Sequence, residues 1–227
     1  MVSFGVGVLP ALLWLWFWIR EDRLHPEPKK LILLAFLAGM AAVFFVLPVE
    51  EFTENIFENS AIIFLCWAIA EEFFKFILCY TATLRNKEYD EPIDAMIYLI
   101  TSALGFAALE NAFFVFSSAK TGILAGIDIG NLRFIGASLL HVVTSGTLGF
   151  FIALSFYKKR LAKFFYLIAG FALSVALHAS FNLSIIEYVE EDSEYLLIVF
   201  SGVWAVAILL LAAFEKIKRL SIGSPGN

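Results

Sequence analysis

The sequence predicts an all-α, polytopic transmembrane bundle of about seven helices, and three observations carry that expectation. Of the 227 residues, 61% are hydrophobic and 16% charged, with a mean hydropathy of +0.85, whereas about half of a soluble domain is apolar. Seven continuous apolar stretches approach or exceed the ~20 residues that a helix needs to cross a bilayer. Barrel strands would instead alternate lipid-facing and lumen-facing residues over ~10-residue segments.

The first stretch, Val2 to Ile19, has no basic residue before it and Arg20 and Arg23 after it. It lacks a small-residue cleavage site, so it is expected to persist as an anchor with its N-terminus outside. Leu31 to Val49 and Ser60 to Leu84 supply the second and third helices, and the third contains the charged segment "WAIAEEFFKFILCY". Ile93 to Ser118, Leu132 to Tyr157, Phe164 to Ile186 and Tyr195 to Phe214 follow, ahead of a cytoplasmic tail at 215–227. No linker, low-complexity tract or internal repeat divides the chain, so 1–227 reads as one transmembrane domain.

Basic residues set the orientation, because their excess stays in the cytoplasm. Thirteen of the 16 Lys and Arg follow helices 1, 3, 5 and 7, while Lys120 and Arg133 lie on the other side and Lys75 lies within helix 3. The C-terminus is therefore expected inside. The opposite loops are acidic, with Glu50, Glu51, Glu54 and Glu58 in one and Glu187, Glu190, Glu191, Asp192 and Glu194 in another. These read as solvating charges, and the net charge of −5 reports topology, with lipid as partner and no nucleic acid. Cys66 and Cys79 share one helix about 20 Å apart, too far for a disulfide.

Within the spans the strong polar groups are few: Glu71, Glu72 and Lys75 on helix 3, Glu110 and Asn111 on helix 4, His141 on helix 5, and His178 and Asn182 on helix 6. Ionisable groups at such depth face the bundle interior and mark a functional site. At ~1.5 Å per residue Glu71, Glu72, Glu110, His141 and His178 fall about 12–17 Å below the outer helix ends, so one shared cluster in the outer half is expected. Glu71 and Glu72 are each within one turn of Lys75 but point ~100° apart. One carboxylate can pair with the ammonium while the other serves as a general base. As single residues they also suit plain structural duties, a satisfied ion pair or interhelical hydrogen bonds.

Four ordered segments, "EEFFK" from Glu71, Asp94 with "GFAALEN" to Asn111, "HVVTSGTLGF" from His141 and "LHASFN" to Asn182, resemble the PrsW family of intramembrane proteases. "DRLHPEP" (Asp22 to Pro28) is similar to that family's first cytoplasmic loop, so the likeness runs from helix 1 to helix 6. The resemblance implies the wider superfamily of CAAX prenyl endopeptidases and bacteriocin-processing enzymes. Glu110 stands where CAAX enzymes carry histidine, and Asn182 where many PrsW proteins carry Asp; Ala95 and Leu99 replace glycines common in the family. Asp94, near the cytoplasmic end of helix 4, is expected to cap or fold and not to do chemistry. The implied activity is cleavage of a single-span membrane protein, an anti-sigma factor, on its extracytoplasmic side.

Two ways of activating water stay open. Glu71 or Glu72 is one candidate base, with His178 and Asn182 donating to the oxyanion or leaving nitrogen and with His141 and Glu110 completing the site. Zinc is the other, its expected donors being Glu72, Glu110, His141 and His178, although no HExxH is present. Ser102, Ser138 and Thr144 read as small helix-contact residues, so a covalent nucleophile is not expected. A proton- or cation-coupled transporter and a non-enzymatic receptor or immunity protein are the rival readings; missing repeats weigh against the former.

Overall fold

The computed structural model describes residues 2–21, 26–119, 136–188 and 193–222. Among them the chain forms seven α-helices: α1 (Val2–Glu21), α2 (Lys29–Ile56), α3 (Ser60–Cys79), α4 (Pro92–Ala119), α5 (Ala137–Leu154), α6 (Arg160–Tyr188) and α7 (Ser193–Ile222). A π-helical turn, Tyr80–Leu84, continues α3. α2, α4, α5, α6 and α7 are long and apolar enough to cross a membrane. α1 and α3 each have 20 residues, and α3 carries Glu71, Glu72 and Lys75 in its second half.

Two helices outrun the apolar stretches that announce them. α2 was expected to end at Val49 but continues to Ile56, which places Glu50, Glu51 and Glu54 on a helix and not in a loop. Nothing in "EEFTENI" forbids helix: Thr53 Oγ1 donates to the Glu50 carbonyl at 2.9 Å and Asn55 Nδ2 to that of Glu51 at 2.8 Å. α7 likewise runs to Ile222, so residues 215–222 are its last turns. Lys120, Arg133, Glu190, Glu191 and Asp192, and the expected helix start at Leu132, lie outside the described residues.

α4 and α5 occupy the centre, with Met96, Tyr98, Ile100, Leu104, Val142 and Leu148 almost wholly buried. α2 and α4 cross with their backbones in contact. A Cβ on Gly39 would stand 1.8 Å from the Ser102 carbonyl oxygen, and one on Gly105 2.0 Å from that of Phe36. Only glycine fits at this crossing, the small-residue packing that lets membrane helices approach closely. Leu33, Leu37, Phe44 and Phe45 of α2 and Leu197, Ile198, Ile208 and Leu209 of α7 are exposed, as a lipid-facing surface requires.

Asn59 caps α3, its Oδ1 accepting from the Ile62 N–H at 3.2 Å, and satisfies a donor that the helix start leaves open. At the other end, Asp94 Oδ2 accepts from the backbone N–H of Asp90 (3.1 Å) and Glu91 (2.9 Å), which fixes the start of α4. The neighbouring Tyr98 hydroxyl donates to Glu27. Asp94 thus has the capping geometry expected of it. Glu27 ties the "PEP" end of the first loop to α4.

Candidate active site and metal centre

Adjacent on α3, Glu71 and Glu72 point into different surroundings. Glu72 is 1% exposed, and its carboxylate is saturated. Oε1 accepts from Lys75 Nζ at 2.5 Å, Thr144 Oγ1 at 2.9 Å and His178 Nδ1 at 2.9 Å. Oε2 accepts from Ser145 Oγ at 3.0 Å and faces Ser174 Oγ at 3.0 Å, whose single hydrogen is shared between Glu72 and the Thr144 carbonyl at 2.8 Å. Donors from α3, α5 and α6 thus converge on one buried charge, which is the condition under which burying it is tolerable.

Glu71 is also buried, at 4% exposure, but its Oε2 has no hydrogen-bond partner. That oxygen faces His178 Nε2 at 3.6 Å and His141 Nδ1 at 3.8 Å. The far nitrogens of both rings meet carboxylates: His178 Nδ1 meets Glu72, and His141 Nε2 meets Glu110 Oε2 at 3.0 Å. An ionised carboxylate only accepts, so each far nitrogen carries the proton. The near nitrogens are therefore acceptors: His141 Nδ1 receives a hydrogen bond from Lys75 Nζ at 3.1 Å, and His178 Nε2 faces Glu71. Glu71, His141 and His178 each direct one acceptor into a space where these atoms lie within 4.8 Å of one another.

Converging acceptors of this type suit a small cation. A carboxylate with two imidazoles, each held from behind by a carboxylate, is the donor chemistry of zinc sites and of their supporting hydrogen bonds. The orphaned Glu71 oxygen and the His178 Nε2 lone pair therefore fit a divalent ion, which would have to take the His141 Nδ1 lone pair from Lys75. Lys75 Nζ approaches His141 Nδ1 at 3.1 Å and lies 4.9 Å from the centre of the Phe106 ring, so the ammonium already supplies positive charge beside the histidine.

These groups open into a cavity of about 690 Å³. Its lining includes Glu50 of α2, Glu71 of α3, Glu110 of α4, His141 of α5, and His178 and Asn182 of α6. Every lining residue except Glu71, which lies just past the midpoint of α3, comes from the half of its helix nearer Ile56, Ser60, Ala119, Ala137 and Tyr188. That end is opposite the basic segments at Lys29, Arg85, Lys158 and Lys216.

The expected cluster is assembled, with differences. Glu71, Glu110, His141, His178 and Asn182 line the cavity. Lys75 lies buried behind it, and Asn111 Nδ2 donates to Ser138 Oγ at 2.9 Å, an α4–α5 hydrogen bond. The donor set brought together is Glu71 with the two histidines; Glu72 is consumed by five donors and Glu110 stands behind His141. Thr144 was expected to be a contact residue but bonds Glu72. Ser145 and Ser174 were not singled out, although Ser145 is i+4 from His141 and Ser174 is i−4 from His178, spacings that put each on its histidine's face.

The chain matches the model of the PrsW family intramembrane metalloprotease over residues 27–213. It is 27% identical over 218 residues to Protease PrsW of Geobacillus kaustophilus (strain HTA426), covering 95% of this chain and 90% of that protein. It is 28% identical over 194 residues to Protease PrsW of Clostridioides difficile (strain 630), covering 82% and 80%. With Protease PrsW of Shouchella clausii (strain KSM-K16) it shares 25% identity over 225 residues, covering 97% and 98%. No solved structure matches the chain. Residues 27–213 take in every helix that lines the cavity, and over that length the chain belongs to the PrsW family of intramembrane metalloproteases.

Proposed function

We propose that this multi-pass membrane protease hydrolyses a peptide bond of a single-span membrane protein, with Glu71 as the carboxylate that meets the reacting water. The observation that carries the reading is Glu71 Oε2: a buried oxygen without a hydrogen-bond partner, beside a cavity and facing one nitrogen of each histidine. Glu72 is the support, because all its accepting capacity is spent on Lys75, His178 and three hydroxyls.

Glu71 takes the proton of the attacking water and returns it to the leaving nitrogen. Asn182, one turn beyond His178 and in the cavity lining, offers its amide to the oxyanion. Lys75, held by Glu72, keeps a positive charge beside His141 where negative charge develops. Glu110 and Glu72 fix the tautomers and orientations of His141 and His178. Glu71, His141 and His178 are also the residues that would hold a zinc-type ion; bound there, it would supply Lewis acidity and a water of lowered pKa, taking over from the Glu71 carboxylate the activation of the water.

The positive-inside pattern supports an orientation with the N-terminus outside and the C-terminus cytoplasmic. The cavity end of the bundle is then extracytoplasmic, in keeping with an anti-sigma factor cut on that side. Membership of a protease family displaces the transporter and receptor readings. The test is incubation of the purified protein in liposomes with single-span peptides, beside Glu71→Gln and with metal content measured on both. Cleavage by the parent, lost in the variant and sensitive to chelator, is the expected result. Undiminished cleavage by Glu71→Gln removes that residue from the chemistry.

A further inference from the structure

The acidic side chains after Val49 read from the sequence as solvating charges, yet one of them belongs to the cavity. Glu50 is half-buried and lines the same space as Glu71 and Glu110. It stands close enough to both for their charges to act on it. Its position is built: Thr53 Oγ1 donates to the Glu50 carbonyl at 2.9 Å and accepts from Trp67 Nε1 at 2.9 Å, which clamps the last turns of α2 to α3. Trp67 and Phe64 line the cavity beside it and pack edge to face, with ring centres 5.0 Å apart.

Glu50, Glu71 and Glu110 all line this space, and no lysine or arginine does among the described residues. Glu71 and Glu110 are turned to His141 and His178. Glu50 is the third carboxylate of the lining, beside Trp67 and Phe64. Asn182 and Ser117 are the other hydrogen-bonding side chains of the lining, and neither is cationic. The rest of the wall is apolar and aromatic, a surface for the stem of a long side chain and, at Trp67 and Phe64, for a cation over a ring face.

We infer that Glu50, with Phe64 and Trp67, forms a specificity subsite that takes a lysine or arginine side chain of the substrate next to the scissile bond. The stem lies along the two rings and the charged head reaches the Glu50 carboxylate. A neutral side chain leaves Glu50 without its counter-charge, and an acidic one meets repulsion from it, so the subsite discriminates by rejection as well as attraction. This inference rests on the protease reading for its position beside the scissile bond.

The experiment uses the full chain in liposomes and single-span peptides of about 20 apolar residues that carry lysine, norleucine or glutamate at successive positions around the cleavage site. The readout is the ratio of kcat/KM for lysine over norleucine at the most selective position. A ratio of roughly fivefold is expected, the upper end of what one partly exposed charge pair contributes, falling close to one in Glu50→Gln. In Glu50→Lys the preference should invert toward the glutamate peptide. Loss of packing alone would lower all three rates together and leave the ratio in place.

Binding of the same peptides to Glu71→Gln, and to Glu71→Gln with Glu50→Gln, separates this inference from the reading beneath it. If the parent cuts none of them, the protease reading fails, while a lysine preference in binding that Glu50→Gln removes still upholds the subsite. A lysine preference that survives Glu50→Gln, or none at any position in either assay, overturns it.

Discussion

Two buried carboxylate clusters sit at opposite ends of the bundle, and they differ in what is left unsatisfied. At the end where α4 begins, Asp94 accepts two backbone N–H groups and Glu27 accepts from Tyr98. At the other end, Glu72 accepts five donors while Glu71, one residue away, keeps an oxygen with none. The Glu71 end opens into the cavity. Burial of charge therefore does not identify the reactive group here. A buried carboxylate with no internal partner, facing open space, does.

The largest expected effect is at the orphan. Glu71→Gln should lower proteolysis by roughly 10³-fold, the scale of a positioned acid–base group, without lowering thermal stability, since it removes a buried charge that has no hydrogen bond to lose. A variant that unfolds would show that Glu71 has a structural partner. Glu72→Gln should behave in the opposite way. It leaves the Lys75 ammonium buried without its counter-charge, and losing one member of a buried pair costs about 3–5 kcal/mol. Thermal unfolding in detergent measures this, and a stable but inactive Glu72→Gln protein would return Glu72 to the chemistry.

A smaller effect is expected where a carboxylate acts through a histidine. Glu110 accepts from His141 Nε2 and is 22% exposed, so Glu110→Gln should fold. Losing a carboxylate behind a ligating histidine typically weakens metal binding 10–100-fold. Equilibrium dialysis with zinc reads this without any substrate. Unaltered zinc binding would mean that His141 does not hold the ion through Nδ1.

Much of this division is visible in the sequence and some is not. The seven helices follow from hydrophobic length, and the i,i+3 and i,i+4 relations among Glu71, Glu72 and Lys75 already say that the two glutamates face different ways. Which one faces the cavity depends on how α3 is rotated against α5 and α6, and no local pattern records that. Glu50 was hidden for another reason. A helix end that leaves the hydrocarbon becomes charged, and charged helix reads like charged loop until the Thr53 and Trp67 hydrogen bonds place it. Ser174, Thr144 and Ser145 are common small residues of membrane helices, and only their meeting on Glu72 distinguishes them.

The smallest effect should come from the cluster that is satisfied. Asp94→Ala removes the acceptor of two backbone hydrogen bonds at the start of α4, a loss of about 1 kcal/mol on the scale of helix caps. The Glu27 carboxyl also hydrogen-bonds Asp94, and that contact is lost with it. Glu27 keeps its bond from Tyr98, so the first loop stays fastened to α4. The remaining fold is untouched at the cavity end, and proteolysis per folded molecule should match the parent. If Asp94→Ala instead abolished cleavage while its unfolding midpoint stayed within a few degrees of the parent, the closed cluster would be acting on the open one through α4. Satisfaction by internal partners would then no longer separate the structural carboxylates from the reactive one.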